Sequence, residues 1–356
     1  MDKSNIELFT VNKDTNIIDA MKKIDNHAKG VVFVVDGDKL VGALSDGDIR
    51  RWLIKTGDLS ICAERIMNTA PKAIYANERE SAIAILNKYK VHVVPVLNEN
   101  REIVDIILEE STDLEELGPS SSLHGIPVVI MAGGKGTRLY PYTKILPKPL
   151  IPINDIPILE RILNQFKKYN ADNIYLSVNY KKEMIKSYFK ELDCDYCLKY
   201  VEENKPLGTA GSIKLVAPEL SGPVIVTNCD ILIRADYTDI LSYHKKSGNA
   251  ITVVSAMMES TIPYGVIKQD ENGYIKAMEE KPTIPYVVNT GMYVVESEYL
   301  ERIPEDTFYH MTDLVNDLLK HGIQVGMYPV SAEAFLDMGE FVELQRMEDK
   351  LKSSIN

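Results

Sequence analysis

A short apolar run that ends directly in a cluster of glycines is the feature that most constrains how this chain folds. Residues 127–132, PVVIMA, are long enough for one buried strand, and Gly133, Gly134 and Gly136 follow at once. Because glycine has no Cβ, its backbone N–H group can approach a phosphate closely. The pattern predicts a buried strand that leads into a phosphate-binding loop, with a Rossmann-like order to follow.

The segment that contains these glycines is positively charged, although the chain as a whole is negatively charged. The 356 residues carry a formal net charge of −12, whereas residues 133–153 include four basic residues and no acid before Asp155. Arg138 offers a planar fork suited to phosphate oxygens. Lys148 offers a point charge between two prolines, which limit backbone freedom. This local reversal of charge favours an anionic ligand.

Length and composition exclude several classes of protein. A chain of 356 residues is long enough for two or three domains. Its negative charge argues against a nucleic-acid partner. It shows no signal pattern and no apolar run of about 20 residues, so we expect a cytoplasmic protein without a membrane partner.

Cys194 and Cys197 form a lone C-x-x-C, but a zinc site needs about four ligands, so reduced cysteines without a metal are expected.

The glycine loop has neither the G-x-x-x-x-G-K-[ST] pattern of a P-loop nor the G-x-G-x-x-G pattern of a dinucleotide site. Its longer string, G-G-x-G-T-R-L-x-P-x-T-x-x-x-P-K-P-L-x-P-I, resembles the signature of sugar-1-phosphate nucleotidyltransferases. The resemblance covers residues 126–340. It implies that a set of residues in this string surrounds a nucleoside triphosphate: Gly133, Gly134, Gly136, Thr137, Arg138 and Lys148. The two cations among them, Arg138 and Lys148, would be the catalytic groups.

Four further motifs occur in the order that this family shows: PLGTAGS (206–212), VIVTNCDIL (224–232), EEKP (279–282) and FLDMG (335–339). The resemblance implies that Gly208 and Thr209 pack on the base and ribose. Asp230 and Asp337 each end an apolar stretch. Mg²⁺ prefers carboxylates together with phosphate oxygens and water, and the resemblance assigns both aspartates to this metal.

The remaining motif residues concern the sugar. The resemblance implies that Lys281 holds the sugar phosphate, and that Glu280 accepts hydrogen bonds from sugar hydroxyls or faces an amine. Gly265 in IPYGVI and Asn289 in VNTGMY match family elements around the sugar. No Ser, Cys or His nucleophile is needed, because an oxygen of the sugar phosphate attacks the α-phosphorus directly and pyrophosphate leaves. His310 is therefore expected at a helix start.

The first third of the chain contains an internal repeat. Residues 33–51 resemble residues 95–111, and each copy reads as strand, polar turn and strand after a stretch with helical spacing. GALSDGDIRR is similar to the signature of cystathionine-β-synthase-type (CBS) domains, which occur in tandem and often bind adenine nucleotides. The resemblance covers residues 5–112. It implies that Ser45 and Asp48 hold the ribose and phosphate of an adenine nucleotide.

The second copy of the repeat departs from this pattern. Leu108 stands where the first copy has Ser45, and Ser111 stands where it has Asp48. Neither replacement offers the same hydroxyl and carboxylate, so a second nucleotide site of the usual kind is not expected. The alternative is that the pair of repeats serves only in packing or dimerisation.

The identity of the base rests on the L-G-T-A-G motif and the VEEN segment before it, which most resemble guanylyltransferases and imply GTP. Guanine presents two neighbouring N–H donors that one carboxylate can accept together, so Glu202 or Glu203 is the candidate reader of the base. The order of a CBS pair ahead of a nucleotidyltransferase is similar to the glucosamine-1-phosphate guanylyltransferases of legionaminic acid biosynthesis. That resemblance implies GTP and glucosamine 1-phosphate as substrates.

Two alternatives remain open. Within the class, the sugar substrate could be mannose 1-phosphate or heptose 1-phosphate. Outside it, the chain could be a non-catalytic, nucleotide-sensing regulatory subunit, which should have lost one of the charged positions. All of these positions are present, which favours the enzyme: Arg138, Lys148, Asp230, Lys281 and Asp337.

The motifs divide the chain into a tandem CBS domain (1–112), a linker (113–125) and a nucleotidyltransferase domain (126–356). The linker is acidic and then rich in Ser, Pro and Gly, as domain boundaries are. We expect an α/β fold with an N-terminal tandem CBS pair and a Rossmann-like domain whose mixed sheet is mostly parallel. A homo-oligomer is expected because both families commonly associate. Residues 156–169 predict an amphipathic helix with one apolar face: Ile158, Ile162, Leu163 and Phe166.

Overall fold

The computed structural model describes residues 3–27, 29–89, 91–108, 122–192 and 196–352. Most of the predicted linker and Cys194 lie outside the described residues. The chain clusters into two compact units. The first unit combines the N-terminal third of the chain with residues 256–288 and 329–333, and the second unit contains the rest. The predicted domain boundaries stay predictions.

The first repeat is a three-stranded sheet with helices, and its middle strand has one parallel and one antiparallel neighbour. Its elements are α1 (Lys3–Phe9), β1 (Thr10–Asn12), α2 (Ile17–His27), β2 (Val31–Asp36), β3 (Lys39–Ser45) and α3 (Asp46–Thr56). Strand β2 is parallel to β1 and antiparallel to β3. Helix α2 buries the face that its spacing predicts: Ile17, Ile18, Met21 and Ile24.

The second repeat has the same strand pairing. Its elements are β4 (Ile74–Tyr75), α4 (Ala82–Tyr89), β5 (Val93–Leu97) and β6 (Ile103–Leu108). Strand β5 is parallel to β4 and antiparallel to β6. Phe33 and Leu40 of the first repeat share one core with Val93, Leu97 and Ile103 of the second. The repeat predicted from the sequence is therefore present as two copies of one topology that pack together.

The remaining helices and strands follow residue 122. They are β7 (Pro127–Ala132), α5 (Tyr142–Ile145), β8 (Pro152–Ile153), β9 (Ile156–Pro157), α6 (Ile158–Lys168), β10 (Asn173–Val178), α7 (Lys182–Glu191), β11 (Leu198–Glu202), α8 (Gly208–Lys214), β12 (Pro223–Asn228), β13 (Ile231–Ile233), α9 (Tyr237–Ser247), β14 (Ile251–Thr261), β15 (Gly265–Gln269), β16 (Ile275–Glu280), β17 (Thr283–Glu296), α10 (Met311–Lys320), β18 (Val325–Ser331), β19 (Phe335–Asp337) and α11 (Phe341–Lys352).

A seven-stranded sheet with the order β11-β10-β7-β12-β17-β14-β18 forms the framework of this part of the chain. Strands β11, β10, β7 and β12 are parallel, and β17 is antiparallel to β12. All six residues of β7 are buried, as expected for a central strand covered on both faces. The predicted α/β fold with a mixed, mostly parallel sheet is confirmed.

The predicted helix after the glycine loop is confirmed, and it begins two residues later than its apolar spacing indicates. Helix α6 starts at Ile158 because Ile156 and Pro157 pair with Pro152 and Ile153 as a short antiparallel ladder. The predicted apolar face is buried, and Leu159 joins it.

Within the first unit, the end of strand β14 packs against the first repeat. Met257 lies in the same core as Ile17 and Met21. The Lys22 ammonium donates a hydrogen bond to the Glu259 carboxylate. The N-terminal repeat is therefore in direct contact with the strand that precedes the β15–β16 hairpin. Among the described residues, no helix is both long and apolar enough to cross a membrane.

We expect the stability of the first unit to fall at acid pH because of His27. The ring stacks on Phe9, and burial lowers its pKa to about 4. An unfolded chain binds a proton near pH 6.5, so stability present above that pH is lost as the pH falls towards 4. Because the ring is only half-buried, we expect a loss of about 1 kcal/mol.

Urea unfolding at pH 7.5 and 4.5, followed by the fluorescence of Trp52, tests this expectation. Trp52 is the one tryptophan of the chain and packs beside the core of the first repeat. His27→Gln should lose less stability between the two pH values than the parent protein. His92→Gln is the matched control, and equal losses for the parent and His27→Gln would contradict the expectation.

Candidate active site

Three parallel strands bring predicted site residues to one edge of the large sheet. Strand β7 ends directly before Gly133, β11 ends directly before Glu203, and β12 ends two residues before Asp230. These strands run in the same direction, so their carboxyl ends meet. Ligands of open α/β sheets bind at this edge.

Two of the three loop glycines, Gly133 and Gly136, have close neighbours where a Cβ would be. Gly136 has a φ of 63°, and a Cβ there would lie 2.9 Å from Thr143 Cγ2 and 3.0 Å from Lys148 Cβ. Thr143 Oγ1 also donates a 2.9 Å hydrogen bond to the Gly136 carbonyl. Gly134 is exposed and has open space where a Cβ would be. Gly136 is therefore packed against its neighbours, whereas Gly134 is accessible to solvent, as the backbone of a phosphate-binding loop must be.

Lys148 is one of the few buried charged residues in the described part of the chain, and it pairs with Asp230. It begins a short 3₁₀ turn after Pro147, whose φ of −64° lies where the proline ring holds it. Its side chain is 9% exposed, and its Nζ donates to Asp230 Oδ2, whose side chain is 16% exposed. The structure therefore brings together two predicted site residues that are 82 positions apart in the chain.

Asp337 lies beside this ion pair because strands β13 and β19 are paired. Asp337 is opposite Ile231 in the antiparallel ladder, and the next residue, Met338, donates its N–H to the Asp230 carbonyl at 2.9 Å. Burial, together with the charge of Asp230, raises the pKa of Asp337 to about 6. The charges of Lys148 and Arg138 oppose this rise.

Arg138 is the second cation at this acidic pair, and Gly339 makes room for it. A Cβ on Gly339 would lie 3.0 Å from Asp337 Oδ2 and 3.4 Å from Arg138 Nη1. Arg138 itself is exposed. The arrangement leaves an accessible guanidinium next to a buried Lys148–Asp230 pair and a carboxyl of raised pKa. Gly339 was not singled out from the sequence, although the FLDMG motif contains it.

The two aspartates fit a divalent cation that is also held by a ligand. Two carboxylates at neighbouring backbone positions can supply two oxygens, and Mg²⁺ readily takes its others from phosphate and water. Burial is the main cause of the raised pKa of Asp337, and the charge of Asp230 raises it further, so the two carboxylates interact. Among the described residues, no group of three or more His, Cys, Asp or Glu could hold a metal by itself. Asp230 and Asp337 would hold Mg²⁺ together with oxygens of a bound phosphate.

The structure separates the two candidate readers of the base. Glu202 is at the surface and pairs with Lys182 and Lys186, which lower its pKa to about 2. Glu203 is buried, and a Cβ on Gly133 would overlap its carboxylate. Glu203, not Glu202, therefore lies at the glycine loop.

Two residues that the sequence analysis did not single out hold Glu203 in place. Ser177 Oγ donates to Glu203 Oε1 at 2.6 Å, and Asn179 Nδ2 donates to the Glu203 carbonyl at 2.7 Å. The Leu207 N–H donates to the second carboxylate oxygen at 3.3 Å. Both new residues are at the carboxyl end of β10, which is the one signal that could have identified them.

The PLGTAGS loop is a tightly packed helix start. Gly208 has a φ of 77°, and a Cβ there would lie 2.5 Å from the Tyr309 carbonyl oxygen. Thr209 Oγ1 accepts a 3.0 Å hydrogen bond from the Met311 N–H. His310 is the N-cap residue of α10, as expected, and its N–H donates to Asp313. Gly208 and Thr209 thus hold the start of α8 against the start of α10. Their contact with base and ribose stays a prediction.

The predicted sugar residues are divided between the two units. Gly265 and Glu280 are opposite each other in the β15–β16 hairpin, and Lys281 follows with a φ of 48°. All three are exposed. In the second unit, Asn289 Nδ2 donates to the Tyr293 hydroxyl at 2.6 Å. The Asn289 amide is therefore already used in the fold.

Ser45 and Asp48 form a capping box at the start of α3. The Ser45 N–H donates to Asp48 Oδ2 at 3.0 Å, and Ser45 Oγ accepts the Asp48 N–H at 3.2 Å. Such reciprocal capping stabilises a helix by about 1 kcal/mol. The pair has a structural role here, and adenine nucleotide binding by it stays a prediction.

Two family models match the chain. The nucleotidyl transferase family model matches residues 127–354, and the CBS domain model matches residues 2–55. The chain is 35% identical over 211 residues to a bifunctional protein GlmU of Methanococcus aeolicus, covering 56% of this chain and 49% of that protein. It is 32% identical over 185 residues to a mannose-1-phosphate guanyltransferase of Debaryomyces hansenii, covering 49% and 51%. The chain thus spans about half the length of these curated relatives.

Among solved structures, HddC from Yersinia pseudotuberculosis complexed with GMP-PN is similar, with a TM-score of 0.50 and 25% identity. The alignment covers 64% of this chain and 99% of HddC. The family match includes the glycine loop, Asp230 and Asp337, and it extends over more than half of the sequence. The chain carries a CBS domain at its N-terminus, and it belongs to the nucleotidyl transferase family.

Proposed function

We propose that this protein transfers a nucleotidyl group from a nucleoside triphosphate to a sugar 1-phosphate, with release of pyrophosphate. The observation that carries the proposal is the convergence of Lys148, Asp230, Asp337 and Arg138 beside the glycine loop. Two cations and two carboxylates at the carboxyl edge of a parallel sheet suit a reaction between two anions.

The proposed reaction needs no covalent intermediate. A phosphate oxygen of the sugar 1-phosphate attacks the α-phosphorus, a new P–O bond forms, and the bond to the pyrophosphate oxygen breaks. Arg138 and Lys148 would neutralise negative charge while the loop glycines orient the triphosphate. Mg²⁺, when bound at Asp230 and Asp337, would supply further neutralisation of phosphate charge.

For the base we propose guanine. A relative named as a mannose-1-phosphate guanyltransferase and a structural neighbour complexed with GMP-PN support this choice. In this chain the support is Glu203, whose buried carboxylate lies against Gly133. A buried carboxylate beside the loop could accept from the N1–H and N2–H₂ groups of guanine.

For the sugar we propose glucosamine 1-phosphate, giving GDP-glucosamine for legionaminic acid synthesis. The support is the order of a CBS domain ahead of the nucleotidyl transferase domain and the exposed Glu280–Lys281 pair. An ammonium on Lys281 suits a sugar phosphate, and a carboxylate on Glu280 suits an amine or hydroxyls. Mannose 1-phosphate and heptose 1-phosphate are competing substrates that the assay separates.

Pyrophosphate release by the full chain with Mg²⁺ tests the proposal. We would combine GTP, UTP, dTTP and ATP with the 1-phosphates of glucosamine, N-acetylglucosamine, mannose, heptose and glucose. Release with GTP and glucosamine 1-phosphate alone is the expected result. Release with another pair would keep the reaction and reject the proposed substrates. No release with any pair would favour a nucleotide-sensing subunit.

We expect Glu203→Gln to reduce the preference for GTP over ITP, which lacks the N2 amine of guanine. The parent protein should favour GTP by about 10- to 100-fold in kcat/KM, and the variant should favour it by less than about 3-fold. Glu202→Gln is the matched control, because its carboxylate is one position away and pairs with surface lysines. An equal loss with GTP and ITP would instead make Glu203 a positioning residue of the glycine loop.

A further inference from the structure

The β15–β16 hairpin in the first unit carries Glu280 and leads directly into Lys281, the two side chains proposed for the sugar 1-phosphate. Every residue of β16 is exposed. Within the described residues, β15 and β16 form a two-stranded sheet of their own. Such a hairpin is only marginally stable in water. The position of Glu280 and Lys281 therefore depends on what holds the base of the hairpin.

Backbone hydrogen bonds close this base. The Lys281 N–H donates to the Tyr264 carbonyl at 3.3 Å, and the Ile262 N–H donates to the Pro282 carbonyl at 3.0 Å. The chain enters the hairpin from β14 and leaves it into β17, and these two strands are neighbours in the large sheet. A displacement of the end of β14 would therefore move Lys281 with it.

Helix α2 of the first repeat holds the end of β14. Met257 and Glu259 are two positions apart in this strand, so their side chains lie on one face. Met257 packs with Ile17 and Met21 in the core of the first repeat, and Glu259 accepts a hydrogen bond from Lys22 Nζ. Glu259 is the last residue of β14 that is not exposed. The Lys22–Glu259 pair therefore holds the strand where it leaves that core.

The ammonium of Lys22 is itself oriented by a second carboxylate. Lys22 Nζ also donates to Asp19, one turn earlier on α2, at 3.1 Å. The side chains of Lys22 and Glu259 are 42% and 25% exposed. The hydrogen bond to Glu259 is the main cause of the raised pKa of Lys22, and burial opposes it. The pair is therefore a charged, oriented contact between α2 and β14.

Helix α3 of the same repeat contacts the strand next to β14. Arg50 Nε donates to the Pro329 carbonyl at 3.4 Å, and Arg50 Nη2 donates to Asp46 at 3.0 Å. Pro329 lies in β18, which is the neighbour of β14 in the sheet. Two helices of the first repeat thus contact two adjacent strands, which fixes the repeat against the strand that leads to the hairpin.

We infer that the first repeat positions the β15–β16 hairpin for the sugar 1-phosphate, with Lys22 and Glu259 as positioning residues. The inference rests on the proposed role of Glu280 and Lys281 in binding this substrate. It requires no nucleotide at Ser45 and Asp48. The triphosphate is proposed to bind at the glycine loop, so loss of the Lys22–Glu259 pair should weaken the use of the sugar 1-phosphate and not that of GTP.

Steady-state kinetics of the full chain, with each substrate varied in turn, tests the inference. Lys22→Glu and Glu259→Lys should each raise the KM for glucosamine 1-phosphate at least about 5-fold, because each places like charges together. The KM for GTP and kcat should change less than about 2-fold. The double variant Lys22→Glu/Glu259→Lys should return the KM to within about 2-fold of the parent value, because opposite charges face each other again.

Lys13→Glu is the matched control, because Lys13 pairs with Asp36 inside the first repeat, and it should keep the parent KM for both substrates. An equal rise in KM for both substrates in the Lys22 and Glu259 variants would overturn the inference. A double variant no better than the single variants would also overturn it. If the substrate assay selects another sugar 1-phosphate, the same comparison is made with that sugar.

Hydrogen exchange of the same proteins tests the anchor without any activity. In Lys22→Glu the amides of residues 262–283 should exchange at least about 5-fold faster than in the parent protein, whereas those of β12 should be unchanged. Unchanged exchange in the hairpin would overturn the inference. A parent protein that releases no pyrophosphate would reject the proposed function and the link to the sugar, while faster exchange in the hairpin would still support the anchor.

Discussion

Asp230→Asn is expected to lower kcat for pyrophosphate release by at least about 1,000-fold while the protein remains folded. The substitution keeps the shape of the side chain but removes the charge that Lys148 contacts. It also removes one of the two carboxylates proposed for Mg²⁺. Because the reaction joins two anions, loss of this metal would leave their negative charge with little other neutralisation at this point of the site.

Pyrophosphate release and thermal unfolding by circular dichroism, measured on the same samples, check this prediction. Asp155→Asn is the matched control, because its side chain is 87% exposed and lies outside the proposed site. It should keep the activity of the parent protein. If Asp230→Asn kept more than about a tenth of the parent kcat, Asp230 would not act in catalysis, since a positioned charge at the reacting centre contributes far more.

Much of this site could be predicted from the sequence because strand ends carry its residues. An apolar run predicts a buried strand, and in a parallel sheet the residues just after such runs meet at one edge. Gly133, Asp230 and Glu203 follow this rule. Asp337 is also beside Asp230, but a short antiparallel ladder brings it there, and the motif order alone indicated that meeting.

The choice between Glu202 and Glu203 could not be made from the sequence. Both follow an apolar stretch, and strand β11 has no clean alternation of buried and exposed residues. The choice depends on tertiary contacts, because Ser177 donates to the Glu203 carboxylate and Lys182 pairs with the Glu202 carboxylate. For the same reason the sequence did not show that Thr209 Oγ1 already accepts a backbone N–H.

The exposed hairpin illustrates another limit. Ile267 and Met278 lie opposite each other on one face of the β15–β16 hairpin, a pairing that the motifs of this region do not predict. No other described strand pairs with the hairpin. The register shift that adds Ile275 to this face could not be read from the spacing, because a bulge breaks the period of two.

Lys148→Met is expected to lower kcat/KM by about 100- to 1,000-fold and also to destabilise the second unit. The methionine fills a similar volume, so packing around Gly136 should survive. Asp230, whose side chain is 16% exposed, would then be left as an unpaired charge next to Asp337. Breaking a buried pair on one side costs about 3 kcal/mol. Lys182→Met is the matched control, because its partner Glu202 is exposed and such pairs contribute less than about 1 kcal/mol.

The double variant Lys148→Met/Asp230→Asn separates the stabilising role of the pair from its role in the reaction. Removing both charges leaves no unpaired ion, so most of the lost free energy of unfolding should return, as urea denaturation followed by circular dichroism would show. Activity should not return, because neither the cation for the phosphate nor the carboxylate for Mg²⁺ is restored. A double variant as active as the parent would mean that this buried pair serves the fold alone, and the reaction centre would have to lie elsewhere.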